Sequence, residues 1–234
     1  VPPPLVPAGS RRYALAAIGA SVVVAAGLGA AVYHRRSTSF DGWAFRGLIG
    51  HTGSAVASVL LAVSTPAAPI VLMAVVVMGA LVAHRWDVAA LAVGGPSLAL
   101  LLTEVVLKPV IGRVLGPAIY EGYPVGPLTG SYPSGHETGV VSAAVVLFLV
   151  ARQLPLRRRD RAVLVAVLVS WAVASAVGLV RNYWHYATDV IGGAAVSIAV
   201  VLASALLIDR FLPARPGRVS SPGARSPAST SRAA

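Results

Sequence analysis

Two histidines and an aspartate stand where apolar runs begin. "SYPSGHETG" (131–139) leads into one such run and "RNYWHYATD" (181–189) into another. In the second stretch Arg181, His185 and Asp189 fall four apart, a spacing that a helix would gather on one face. A carboxylate one turn from an imidazole accepts its N–H, fixes the tautomer and leaves the other ring nitrogen free to attack. In the first stretch Ser134 is the kind of residue that caps a helix, and Gly135 lets a ligand approach the backbone. The unpaired N–H groups of that helix start suit phosphate oxygens. His136, in the first turn, is placed to pass a proton to a leaving oxygen. A third stretch, "LKPVIGRVLGP" (107–117), holds Arg113 and Lys108, the single lysine in a chain that otherwise writes arginine. Each stretch alone also fits a plainer reading: an exposed ion-paired triplet, an ordinary serine cap, a lysine snorkelling to an interface or paired with Glu104. Their conjunction points to an anionic ligand handled by two imidazoles.

The elements that must position these residues are membrane spans. Of 234 residues, 56% are hydrophobic and only 12% charged, where a soluble domain carries about 25% charged residues. A helix needs roughly 17–25 apolar residues to cross a bilayer. Segments near 13–33, 66–84, 88–107, 135–151, 162–180 and 188–208 qualify or nearly so. Open strands would leave backbone groups unpaired in lipid, so the expected fold is all-α, a polytopic protein with six transmembrane helices. The run at 53–64 is too short to cross. It reads either as an interfacial helix or as the first part of a long second helix bent near Thr65–Pro66, and Pro96 should kink the third span. No small-residue cleavage site follows the first apolar run, which points to an uncleaved span. The expected organisation is a flexible basic N-terminus (1–12), a membrane domain (13–210) and a disordered Pro-, Ser- and Arg-rich tail (211–234).

The net charge of +11 does not point to nucleic acid, because the basic residues lie between apolar runs as topology requires. Arg11, Arg12, Arg85, Arg152, the "RRRDR" block (157–161) and the tail arginines fall on one side. Arg35, Arg36, Arg46, Lys108, Arg113 and Arg181 fall on the other. The positive-inside rule then places both termini in the cytoplasm and the three stretches outside. Outer loops should be poor in cations; these carry them. The chain has no cysteine, which rules out a thiol nucleophile and a disulfide framework.

The three stretches, in this order, resemble the type 2 phosphatidic acid phosphatase superfamily, which also contains vanadium haloperoxidases. Its pattern is a Lys, six residues, then Arg-Pro; a Pro-Ser-Gly-His; and an Arg, five residues, a His, three residues and an Asp. Pro133–His136 keeps the second motif, and His185 and Asp189 keep the end of the third. Leu115 stands where the first motif has its Arg, with Arg113 two residues earlier, and Arg181 is separated from His185 by three residues instead of five. The resemblance implies that His185 attacks phosphorus to give a phosphohistidine while Asp189 holds its ring. His136 protonates the leaving group and then activates water. Lys108, Arg113, Arg181 and the backbone at Ser134 and Gly135 stabilise the phosphoryl oxygens. It implies no cofactor and no metal, and no carboxylate cluster in the sequence suggests one. The substrate implied is a lipid monophosphate or polyprenyl pyrophosphate cleaved at the outer face of the plasma membrane, with Tyr120, Tyr123 and Tyr132 in a loop that shapes access. Two alternatives are a lipid phosphotransferase of the same fold and a catalytically degenerate lipid-binding or transport protein. Haloperoxidase members are typically soluble, which this chain's composition opposes.

Overall fold

The computed structural model describes residues 3–34, 37–49, 54–114 and 130–212, and within them the chain is helical without a strand. In order come α1 (Arg11–Val32), α2 (Ser39–Ile49), α3 (Ser54–Ser64), α4 (Ala67–Val82) and α5 (Trp86–Leu101). A π-helical turn (Leu102–Leu107) comes next, then α6 (Lys108–Ile111), α7 (Gly135–Ala151), α8 (Arg158–Arg181) and α9 (Ala187–Phe211). Among the described residues five stretches are long and apolar enough to cross a bilayer: Ala8–Val32, Ser58–Val82, Trp86–Ile111, Arg158–Arg181 and Ala187–Phe211. α7, with 17 residues, is shorter.

The ambiguity at 53–64 resolves into a bent span. α3 runs into α4 across Thr65 and Pro66, and Ser58–Val82 forms one apolar stretch. Pro96 lies inside α5, which continues past it into the π-helical turn. A π turn inserts one residue and rotates the helix beyond it, and here it delivers Lys108 to the first position of α6. Gly112 ends that helix in a left-handed conformation (φ 60°), and a methyl group on it would lie 2.8 Å from the His34 ring at the end of α1.

α9 is the axis of the bundle, packed against α1, α5 and α7. Its buried face is built of small residues, among them Gly192, Gly193, Ala195, Ser197, Ala199 and Ala205. Lipid tails are as apolar as leucine, so association between helices depends on close packing and on polar contacts. Gly193 accordingly admits the Ser134 carbonyl and Thr138 of α7. Ser197 Oγ donates to the Thr138 carbonyl at 2.8 Å, and Thr103 Oγ1 lies 3.3 Å from Thr138 Oγ1. Aliphatic residues such as Val23, Ile70, Val75, Val105, Val167 and Leu207 remain exposed on the outside of the bundle, where hydrocarbon would meet them.

The bundle has two distinct ends. At one, Arg85 donates to the Pro3 carbonyl and to Asp87, Arg152 donates to Ser10 Oγ, and Asp209 accepts from the backbone N–H groups of Leu5 and Val6. Leu5 and Val6 are buried, within a segment whose composition reads as a flexible start. At the other end the tops of α1 and α6 join through His34 N–H and the Ile111 carbonyl, and α2 meets the start of α9. The expected tail at 211–234 lies outside the described residues beyond Leu212, as do Leu115, Tyr120 and Tyr123.

Candidate active site

The second end gathers the predicted residues. Ser134 caps α7 in an extended conformation, its Oγ accepting from Glu137 N–H at 3.3 Å, and its own N–H donates to the Asp189 carbonyl at 3.0 Å. That last bond ties the start of α7 to the start of α9. Gly135 and His136 are the first two residues of α7, so their N–H groups are ones the helix itself does not use. The His136 and His185 rings stand with centroids 6.1 Å apart and planes tilted by 60°, and Trp184 packs edge-on against His136 at 5.2 Å.

His185 does not share a helix face with Arg181. α8 ends at Arg181, residues 182–186 form a turn in which Tyr183 takes φ 60°, and α9 begins at Ala187. The turn is closed by the N–H groups of Trp184 and His185, both donating to the Leu179 carbonyl. Asp189 is the third residue of α9 and caps it backwards, accepting from the Tyr186 N–H at 3.0 Å. The same oxygen, Oδ2, lies 3.5 Å from His185 Nδ1. That is the outer limit of a hydrogen bond, and Nδ1 has no formed partner. Catalytic hydrogen bonds are often long before substrate binds. The geometry still turns Nδ1 towards the carboxylate and Nε2 away from it.

Arg113 sits behind this pair, bound to Asp189 and to Asp41. It is fully buried. Nη2 donates to Asp41 Oδ2 at 2.6 Å, and Nη1 reaches both Thr188 Oγ1 and Asp189 Oδ1. Its guanidinium carbon stands 4.1 Å from the Tyr186 ring centroid, a cation–π contact in a desolvated place. Asp41 completes the cluster, accepting from Thr188 N–H (3.0 Å), Thr188 Oγ1 (2.9 Å), Thr38 N–H (2.9 Å) and Thr38 Oγ1 (2.8 Å). Burial alone would raise its pKa; the N–H groups of Thr188 and Thr38 and the Arg113 charge more than offset this and hold it below the ordinary value. Tyr132, at the same end, moves the other way, raised by burial and by the Asp189 charge.

Lys108 Nζ lies 2.7 Å from both carboxylate oxygens of Glu104. The pair rests against the start of α7: a methyl group on Gly135 would overlap Glu104 Oε1 and stand 3.7 Å from Lys108 Nζ. The lysine that the sequence singles out and the Pro-Ser-Gly-His turn therefore meet. Sequence reasoning misses Asp41 and Glu137, although each is one of only eight acidic residues. Glu137 is buried and accepts from Ser175 Oγ at 2.8 Å. Among the described residues no group of His, Asp and Glu is placed to hold a metal ion.

A groove of about 380 Å³ reaches from His136 and Gly139 down between α4 and α5, past Pro96, Met73 and Val77. A larger one, about 500 Å³, lies between α7, α8 and α9 and touches neither imidazole.

Comparison with known proteins bears on the family and the fold. The family model described as the PAP2 superfamily matches residues 19–212. No curated protein matches. Among solved structures, the first transmembrane PAP2 type phosphatidylglycerolphosphate phosphatase, from Bacillus subtilis, superposes with a TM-score of 0.70 at 18% identity. The match covers 85% of this chain and 98% of that one. At that identity the likeness is one of fold.

Proposed function

The chain belongs to the PAP2 superfamily, and from that premise we propose that it hydrolyses a lipid phosphate through a phosphohistidine on the extracytoplasmic face of the membrane. The observation that carries the reading is the meeting of His136, His185, Lys108 and the α7 N-terminus at one end of a membrane bundle. Phosphoryl transfer asks for positioning and charge stabilisation more than for covalent elaboration.

In the first step His185 Nε2 forms a bond to phosphorus as the bond to the lipid oxygen breaks, and His136 gives that oxygen its proton. In the second step His136 takes a proton from water, the water oxygen bonds to phosphorus, and the N–P bond breaks to release inorganic phosphate. Lys108, Arg181 at the end of α8, and the N–H groups at the start of α7 carry the charge on the equatorial oxygens. Asp189 keeps the His185 ring in the attacking tautomer, and Arg113 with Asp41 keeps Asp189 in place. A lipid substrate is supported by the groove below His136, which would let an apolar tail remain among α4 and α5 while its phosphate stays at the end of the bundle. Orientation is supported by charge. Arg11, Arg12, Arg85, Arg152, the 157–161 block and Arg210 belong to the other end, the cytoplasmic one by the positive-inside rule.

Reconstituted in liposomes, the protein should release inorganic phosphate from a lipid monophosphate or a polyprenyl pyrophosphate. His136→Ala and His185→Ala should each be silent in the same assay while retaining the wild-type melting transition. A wild-type protein inert on every member of such a panel, or either variant turning over at a near-normal rate, would remove the proposal.

A further inference from the structure

The phosphate cradle of the site already holds a carboxylate. Lys108 Nζ is shared by both oxygens of Glu104, and Oε1 is packed against Gly135, where the unused N–H groups of α7 begin. His136 follows Gly135 directly in the first turn of α7. Glu104 thus occupies a position bounded by the ammonium and the start of α7, one residue before the acid–base histidine, where substrate oxygens would need to sit. The two side chains differ in freedom: Lys108 is 12% exposed, Glu104 42%. The carboxylate can rotate out to water while the ammonium stays. The π-helical turn that carries Glu104 is a local irregularity of a kind often found at functional sites.

Resting on the phosphatase reading, we propose that Glu104 is a tethered stand-in for substrate and makes the site selective for phosphomonoesters and pyrophosphates over phosphodiesters. The physical problem it answers is crowding. A bare cationic cradle at a bilayer surface would be filled by the phosphodiester headgroups of bulk lipid, each carrying a single negative charge. A carboxylate on a short tether competes at an effective concentration of order mM and matches that single charge. A terminal phosphate carries about −1.5 to −2 at pH 7. It gains more from Lys108 and the helix N-terminus than the carboxylate does, and so displaces it.

The test uses the full-length protein and two variants. Glu104→Gln keeps shape and removes charge, whereas Glu104→Asp keeps charge but withdraws it from the cradle by one methylene. Inorganic phosphate is the first probe, with its binding followed by phosphorus NMR without turnover. Both variants should bind phosphate about tenfold more tightly than wild type, and KM for the lipid phosphate should fall in parallel. Vesicles of phosphatidylglycerol, a phosphodiester, should inhibit the variants and leave wild type untouched. Phosphate binding that is unchanged or weakened in both variants would overturn the proposal, with Glu104 then serving only to hold Lys108. Tighter phosphate binding in a protein that cleaves no lipid phosphate would instead sink the phosphatase reading and leave the role of Glu104 standing.

Discussion

Replacing Arg113 with lysine keeps a positive charge behind Asp189 and removes the fork that joins two carboxylates. In the native protein Nη2 serves Asp41 at 2.6 Å while Nη1 serves Thr188 and Asp189. An ammonium is a point charge and can serve one carboxylate well, not both. The loss is one buried charge-assisted hydrogen bond, about 1.5–3 kcal/mol. If it falls on the ground state, the melting temperature of a chain this size drops by roughly 3–12 °C, at about 2–4 °C per kcal/mol. If it falls on the orientation of Asp189 and His185 in the transition state, kcat drops about 10- to 100-fold. Arg113 is fully buried and engaged with Asp41, Thr188 and Asp189, so on the positioning role the inhibition constant of inorganic phosphate should move far less than kcat. Steady-state kinetics with phosphate as product inhibitor, beside thermal unfolding in detergent, separates the two. A lysine variant with native kcat and phosphate inhibition weakened tenfold would refute the positioning role and restore a direct phosphate contact.

The same end of the bundle supplies two further outcomes. Asp41 has its pKa lowered in the folded state, so the stability it contributes is present above its unfolded pKa of about 3.9 and is lost as pH falls through the lower folded value. Melting temperatures of wild type should therefore decline as pH drops below about 4, and Asp41→Asn should be less stable at neutral pH with a flatter acid limb; identical limbs would contradict this. A side chain at Gly139 meets nothing within 4 Å at its Cβ, yet Gly139 lines the groove below His136. Gly139→Leu should fold normally, raise KM for a long-chain lipid phosphate about tenfold and spare a short-chain, water-soluble one; equal effects on both would remove the groove from substrate binding.

Much of the architecture is legible in the sequence because lipid leaves the backbone few choices. The spans are set by apolar length, and the start of α7 by Pro133, Ser134 and Gly135, whose types admit a cap and little else. The third motif is harder. A spacing of four between His185 and Asp189 fits one helix face, but it equally fits a turn residue followed by the third position of a new helix. The second arrangement is the one found, because Tyr183 breaks the run after Arg181. Arg113 is not legible as a partner of Asp41 and Asp189. Its partner Asp41 is 72 residues away in "SFDGWAF", a stretch with no periodicity or motif to draw notice. Glu104 is legible as an ion-pair partner of Lys108. That the pair rests on Gly135, 31 residues after Glu104 in the numbering of the chain, is a fact of helix packing that no local pattern carries.

The account stands on His185 being the nucleophile that takes the phosphoryl group. A lipid phosphate labelled with radioactive phosphorus, mixed with the protein and quenched in alkali within a turnover, should leave label on the protein that is stable to base and released by acid. Peptide mapping should place it on His185. Label on any other residue, or none at a time when product is already appearing, would contradict the account at its centre.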